Sequence, residues 1–321
     1  MKAAIYHEYG SPDVVRIEEI DQPVPAEDQV LVEVRAASVN PLDWHRMRGE
    51  PYVMRLGEGL TKPKNRGLGA DLAGRVEAIG RNVTRFQPGD EVFGMSIKTC
   101  AEYVRVAEDG VVHKPAHLSF EQAAAVPVAA ITALQGLRDK GNIRPGQKVL
   151  INGAAGGVGT FAVQIAKSFE AEVTGVCSTR NVDMVRSLGA DQVIDYTKED
   201  FSRSGQRYDL ILDAVGNRSL SDYRRVLTPQ GILALAGGGH GGWLRPIILP
   251  IKAVMMSPFS GQKLVPFLSK RNNDDLVFLK ELLEAGRMSP VIDRSYPLSE
   301  VAEAIRYLEE GHARGKVVIT V

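Results

Sequence analysis

The chain has 321 residues, enough for two hydrophobic cores, and its hydrophobic content of 44% and charged content of 24% are those of an ordinary globular protein. Its 39 lysines and arginines balance 39 aspartates and glutamates, which excludes a general basic field for nucleic acid or an anionic membrane surface and leaves anion binding to local sites. Two cysteines, Cys100 and Cys177, exclude a disulfide framework and a CxxC metal pair, so a reducing compartment, the cytoplasm, is expected.

The opening "MKAAIYHEYG" has neither the apolar core of a secretion signal nor the arginine-rich character of a transit peptide. The first third then alternates: "QVLVEVRAASV" and "GRVEAIG" read as strands, with Pro88 and Gly89 of "FQPGDEVFG" forming a type II turn between two more. "SFEQAAAVPVAAITALQGL" changes the texture, opening on Ser119 as a helix N-cap and running on as helix.

After it come "KVLIN", "EVTGVC", "QVIDY", "YDLILDAV" and "GILALAG", short apolar runs interleaved with helical patterns such as "GVGTFAVQIAKSF", "NVDMVRSLG" and "SLSDYRRVL". Continuous apolar runs are what strands buried on both faces of a parallel sheet look like, and helices are what connect them, so this part is a doubly wound α/β domain. The segment "WLRPIILPIKAVMMSPF" is broken by Arg245, Lys252 and three prolines, short of the ~20 apolar residues of a membrane helix. The end of the chain carries a helix in "DDLVFLKELLEAG", a second in "LSEVAEAIRYLEEG" with Ser299 as its cap, and a closing strand "KVVITV".

In "VLINGAAGGVGTFAVQIAK" the glycines lie between a strand and a helix, where the backbone turns tightly and a pyrophosphate can approach the helix N-terminus. Ala154 stands where the GxGxxG pattern has its first glycine, while Gly156 and Gly159 keep the other two and Gly157 and Val158 lie between them. The end of the next strand, about 20 residues on, is where an NAD-binding domain places a carboxylate on the ribose. Here it reads "VCSTRN": Ser178, Thr179 and Arg180 offer hydroxyls and a guanidinium to a 2′-phosphate, so NADPH is expected over NADH.

With "AASVNPLDW", "GADLAGRVEAIG", "PGDEVFG", "AAAVPVAAITA", "NGAAGGVG", "LGADQVIDY" and the closing "GKVVI" in view, the chain resembles the medium-chain dehydrogenase/reductase superfamily over nearly its whole length. The resemblance is to the zinc-independent quinone oxidoreductase branch. It implies a GroES-like β-rich catalytic domain over residues 1–121, completed by 271–321, and a Rossmann NADPH-binding domain over 122–270. The catalytic zinc ligands of the superfamily's alcohol dehydrogenases correspond here to Asn40, Ala70 and Val128, which offer no such donor set, so no metal is expected.

Without a Lewis acid, hydride transfer suits quinones and enones, whose conjugation delocalises the incoming charge. On the acceptor side the resemblance points to Asn40 and Asp43 beside the nicotinamide, with His45 and Tyr52 as nearby donors; a turn-former, a structural histidine and a packing tyrosine are the plainer readings of Asn40, His45 and Tyr52. On the cofactor side it points to Thr132, Tyr196, Asp213, Val215, Gly237 and Gly238, with Arg314 and Lys316 able to reach the cofactor or to form a solvated basic end. The segment 238–261 reads equally as a pocket wall or as a helix on the sheet. An alcohol or aldehyde oxidoreductase and a non-catalytic NADPH-binding protein are the competing readings. A homodimer through an edge strand at 262–268 is expected, because an uncovered apolar edge invites pairing.

Overall fold

A computed structural model of the chain describes residues 1–236 and 261–321, in two compact units. Unit 1 comprises Met1–Val128, Arg271–Gly286 and Pro290–Val321, and unit 2 comprises Ala129–Lys270 and Arg287–Ser289. The chain thus leaves unit 1 after Val128 and returns to it at Arg271.

In chain order unit 1 begins with strands β1 (Lys2–Tyr6), β2 (Val15–Glu19) and β3 (Gln29–Val39), then helices α1 (Pro41–Arg48) and α2 (Arg55–Glu58). Strands β4 (Asp71–Ile79), β5 (Glu91–Met95), β6 (Tyr103–Ala107) and β7 (Val111–His113) follow, then helices α3 (Phe120–Ala124) and α4 (Pro127–Leu134). The helical stretch read as one is broken because Pro127 has no N–H to continue α3 and is instead suited to the start of a new helix. The Ser119 cap is present: its Oγ accepts from Gln122 N, and Gln122 Oε1 accepts from Ser119 N.

Unit 2 continues with β8 (Lys148–Asn152), α5 (Gly157–Ser168), β9 (Glu172–Cys177), α6 (Val182–Ser187), β10 (Gln192–Asp195), β11 (Tyr208–Asp213), α7 (Leu220–Val226), β12 (Leu227–Leu235) and β13 (Lys263–Pro266). The chain then returns to unit 1 through α8 (Asn273–Glu284), β14 (Ile292–Pro297), α9 (Val301–Glu309) and β15 (Lys316–Thr320). Ser299 does not cap α9; it lies within a 3-10 turn, Leu298–Glu300, and the cap position is Glu300.

In unit 1, β1 and β2 pair as an antiparallel ribbon, and a seven-stranded sheet runs β14-β15-β3-β4-β5-β7 with β6 also paired to β3. Val30, Val32, Val34, Val39, Leu72, Val76, Val317 and Ile319 from its central strands pack with Val301, Ala304 and Ile305 of α9 into one buried cluster. The β-branched side chains of β3 suit this pleated surface. Among the described residues of unit 2 the six strands are all parallel, in the order β10-β9-β8-β11-β12-β13. Numbered from β8 this is 3-2-1-4-5-6, the doubly wound order with a switch point between β8 and β9 on one side and β11 on the other. Leu150, Val176, Ile211, Tyr223 and Leu233 lie in its core.

The turn from β8 into α5 is closed by two glycines. Gly153 sits at φ +86°, and a Cβ on Gly159 would come 2.0 Å from the Gly153 carbonyl oxygen. A backbone atom cannot give way as a flexible side chain can, so Gly159→Ala is expected to destabilise unit 2 by about 1–3 kcal/mol. Urea unfolding of the variant checks this, and an unchanged midpoint would show that the turn has room for a side chain.

Candidate active site

Helix α1 begins at Asn40, where β3 ends, with Pro41 in its first turn. The Asp43 carboxylate folds back on this start: its Oδ2 accepts from Asn40 N at 2.7 Å and its Oδ1 from Gly69 N at 3.0 Å. Asp43 is 4% exposed. Burial pushes its carboxyl up to about 6, against the two backbone hydrogen bonds, which favour the ionised form.

Beside it the register of β15, β3 and β4 places three polar side chains next to one another, since Val317 pairs with Val39 and Ser38 with Asp71. Asp71 is fully buried and Lys316 is 3% exposed. Asp71 Oδ2 accepts from Ser38 Oγ at 2.5 Å, Asn40 Nδ2 at 2.9 Å and Lys316 Nζ at 3.1 Å, and its Oδ1 accepts from Val128 N at 2.7 Å. Lys316 Nζ also donates to Asn40 Oδ1 at 2.6 Å. The structure therefore brings Asn40 and Asp43 together, as expected, and adds Ser38 and Asp71.

The placement corrects the reading of Lys316. Its ammonium is not a solvated basic end; it is the buried counter-ion of Asp71. Arg314 is exposed, with its N–H bonded to Asp293. His45 donates from Nδ1 to the Glu50 carbonyl at 2.8 Å and stacks on Trp44 with ring centroids 3.6 Å apart. Tyr52 is about half exposed, with the Arg55 guanidinium 4.7 Å over its ring. Burial pushes the Cys100 thiol well above its ordinary value, with the charges of Asp43 and Asp71 adding to the effect, so it is no thiolate nucleophile.

In unit 2 the carboxyl ends of the parallel strands gather most of the expected cofactor residues. Ala154 is buried, and Gly156 caps α5 with Gly157, Val158 and Gly159 in its first turn; no side chain caps these N–H groups. Ser178 to Arg180 follow β9, Tyr196 follows β10, and Asp213 to Val215 close β11. Arg180 is exposed and Tyr196 is 48% exposed, so neither is a core residue. Thr132 Oγ1 lies 2.8 Å from Ser269 Oγ. Gly237, Gly238 and all but the last residue of the segment 238–261 lie outside the described residues.

A carboxylate does lie near the end of β9, because the parallel register pairs Cys177 with Asp195 at the end of β10. Asp195 accepts from Thr179 Oγ1 at 2.5 Å, Thr197 N at 3.0 Å and Thr197 Oγ1 at 2.7 Å. The Thr179 hydroxyl bond, with those from Thr197 and Lys198, holds its carboxyl down to about 2. Thr179 Oγ1 thus donates its hydrogen bond to Asp195. Asp213, in turn, is fully buried and accepts from Asn152 Nδ2 at 2.9 Å and from Val215 N and Gly216 N at 3.0 Å each. It fastens the turn after β11.

Asp43 gives a pH dependence of defined sign. Its folded pKa is above the unfolded value of 3.8, so the native state binds the proton more tightly, and stability falls as pH rises from 4 to 6 and is level above that. The shift corresponds to about 3 kcal/mol. Urea titrations of wild type and Asp43→Asn at several pH values are expected to show the wild type losing ground between pH 4 and 6; a difference independent of pH would mean that Asp43 titrates normally.

Residues 26–134 match the family model described as the alcohol dehydrogenase GroES-like domain, and residues 188–319 the model described as a zinc-binding dehydrogenase. The residues present do not fit a zinc. Both polar atoms of the Asn40 amide are engaged by Lys316 and Asp71, the side chains of Ala70 and Val128 have no donor, and the described residues contain no group of three His, Cys, Asp or Glu side chains arranged around one point. The 2-methylene-furan-3-one reductase of Solanum lycopersicum is 36% identical, over 99% of this chain and 79% of its own. The chloroplastic NADPH-dependent alkenal/one oxidoreductase of Arabidopsis thaliana is 34% identical over the same shares. The solved structure of a quinone oxidoreductase from Coxiella burnetii superposes with a TM-score of 0.87 at 32% identity, covering 100% of this chain and 99% of that one. By sequence and by fold, then, the chain belongs to the medium-chain dehydrogenase/reductase superfamily, among its quinone oxidoreductases and enone reductases.

Proposed function

We propose that this chain is an NADPH-dependent reductase that delivers hydride to a quinone or to an alkene conjugated with a carbonyl, without a catalytic zinc. The observation that carries the reading is the Asn40 amide: where the superfamily's alcohol dehydrogenases have a zinc-ligating cysteine, this chain has a neutral side chain bonded to Lys316 and Asp71. An acceptor reduced here must therefore delocalise its own developing charge, as quinones and enones do. The relatives named above, an enone reductase, an alkenal/one reductase and a quinone oxidoreductase, support the same acceptors.

NADPH, when bound, supplies the hydride from its nicotinamide ring. The uncapped N–H groups at the start of α5 receive the pyrophosphate. Arg180 and Ser178 hold the 2′-phosphate, Tyr196 lies beside it, and Thr132 belongs to the same face. Asn40 donates to the acceptor oxygen, which gains electron density as hydride reaches the conjugated carbon, and water or a nearby side chain supplies the proton. Asp43 holds Asn40 at the helix start. His45 and Tyr52 flank this region as donors to the acceptor.

The chain pairs with a second copy through β13, which is the terminal strand of its sheet and is followed by Leu268, 86% exposed. It works in the cytoplasm, a reducing compartment that suits the free thiols of Cys100 and Cys177.

Steady-state oxidation of NADPH and NADH against a benzoquinone, a simple enone and an aldehyde tests the reading. Turnover is expected with the first two, with a KM for NADH at least about tenfold above that for NADPH, a gap that Arg180→Ala closes from the NADPH side. Turnover of the aldehyde alone, dependent on added zinc, would replace the reading with an alcohol dehydrogenase. Tight NADPH binding with no acceptor reduced would leave a cofactor-binding protein.

A further inference from the structure

A buried ion pair has a large desolvation cost, and apolar residues of the same volume often serve stability as well. Lys316 and Asp71 are both buried, so the pair is not a surface accident of charge. What distinguishes it is a third group. The Asn40 amide lies against both ions, its Oδ1 on the ammonium at 2.6 Å and its Nδ2 on the carboxylate at 2.9 Å.

An asparagine amide can ordinarily turn about its last torsion and exchange oxygen for nitrogen. Here the exchange would set N–H groups against an ammonium and an oxygen against a carboxylate, giving two repulsions in place of two charge-assisted hydrogen bonds. The ion pair therefore admits one orientation only. In that orientation Asp71 takes one Nδ2–H, and the other Nδ2–H has no partner among the described residues.

We propose that Lys316 and Asp71 are positioning residues of the reductase: the pair locks the Asn40 amide so that its remaining N–H is always available as a donor to the acceptor's carbonyl oxygen. Ser38 and the Val128 N–H complete the device by saturating Asp71 from its other sides, which keeps the carboxylate from drawing the second N–H as well. The inference rests on the reading that Asn40 addresses the acceptor. It adds that the donor acts only because two residues that never touch substrate fix its direction.

The test combines Asn40→Ala with the double substitution Lys316→Met and Asp71→Asn, which removes both charges together and so leaves no lone buried ion. The double variant is expected to fold and to bind NADPH with unchanged affinity, while kcat toward an enone falls by about tenfold, the effect of one lost hydrogen bond. Adding Asn40→Ala to the double variant is expected to lower kcat no further, because the amide has already lost its direction. If Asn40→Ala lowers kcat and the double variant does not, the ion pair is structural and the inference fails while the role of Asn40 stands. If Asn40→Ala leaves kcat unchanged, that role fails and the inference with it. Should the double variant not fold, proton exchange of the Asn40 side-chain amide in the wild-type protein decides: one proton protected and its twin exchanging is expected, and two protons exchanging alike would overturn the lock.

Discussion

Unit 1 is organised around the need to neutralise one carboxylate, Asp71, which has no exposure at all. Leaving such a charge with a partner missing costs about 3–5 kcal/mol, so every element that reaches it is held in place by it. The donors come from β3 through Ser38 and Asn40, from β15 through Lys316, and from the first turn of α4 through Val128 N. Lys316 is 245 residues from Asp71 and 276 from Asn40 in the chain. The last strand of the protein is thereby tied to the strand on which the candidate site begins, and helix α1 starts from a residue that the same charge orients.

The same device recurs in unit 2. Asp195 joins the turn after β9 to the turn after β10, and Asp213 joins the turn after β11 to Asn152 at the end of β8. Each of these three carboxylates is surrounded by N–H or O–H donors, and each fixes a segment that carries a residue expected to meet cofactor or substrate. Loops at the carboxyl edge of a parallel sheet have no ladder of their own to define them. Ionised side chains with several short hydrogen bonds supply that definition, and a charged acceptor makes each bond stronger than a neutral one would.

This explains what was legible in the sequence. The strands of unit 2 are apolar along their length and the glycine turn has its own signature, so the doubly wound sheet and the anion-binding start of α5 follow from local patterns. Asn40 and Asp43 lie three residues apart and belong to one helix start, which local chemistry also reveals. Asp71 and Lys316 do not share a segment with each other or with Asn40, and only the register of three strands makes them neighbours. One signal was available: a lysine and an aspartate, each opening an otherwise apolar strand in "GKVVITV" and "ADLAG", must each find a partner if buried. Asp195 was hidden for a similar reason. Thr179 follows β9 and Asp195 ends β10, and only the parallel register of the two strands brings them together.

Asp43 and Asp71 differ in a way that bears on the chemistry. Asp71 has an ammonium against it, whereas Asp43 has only backbone N–H groups on its two oxygens and the negative charge of Asp71 close enough to oppose its ionisation. A single cation thus serves a pair of neighbouring carboxylates, and burial, with the Asp71 charge adding to it, pushes the Asp43 carboxyl up to about 6. An oxyanion forming beside Asn40 would meet this field. Loss of the Asp43 charge by protonation would make the surroundings of the Asn40 amide more favourable to an incoming electron pair, while keeping Lys316 committed to Asp71. On the proposed role of Asn40, this neighbouring charge is met best by an acceptor that shares its developing charge between the oxygen at the amide and a conjugated frame.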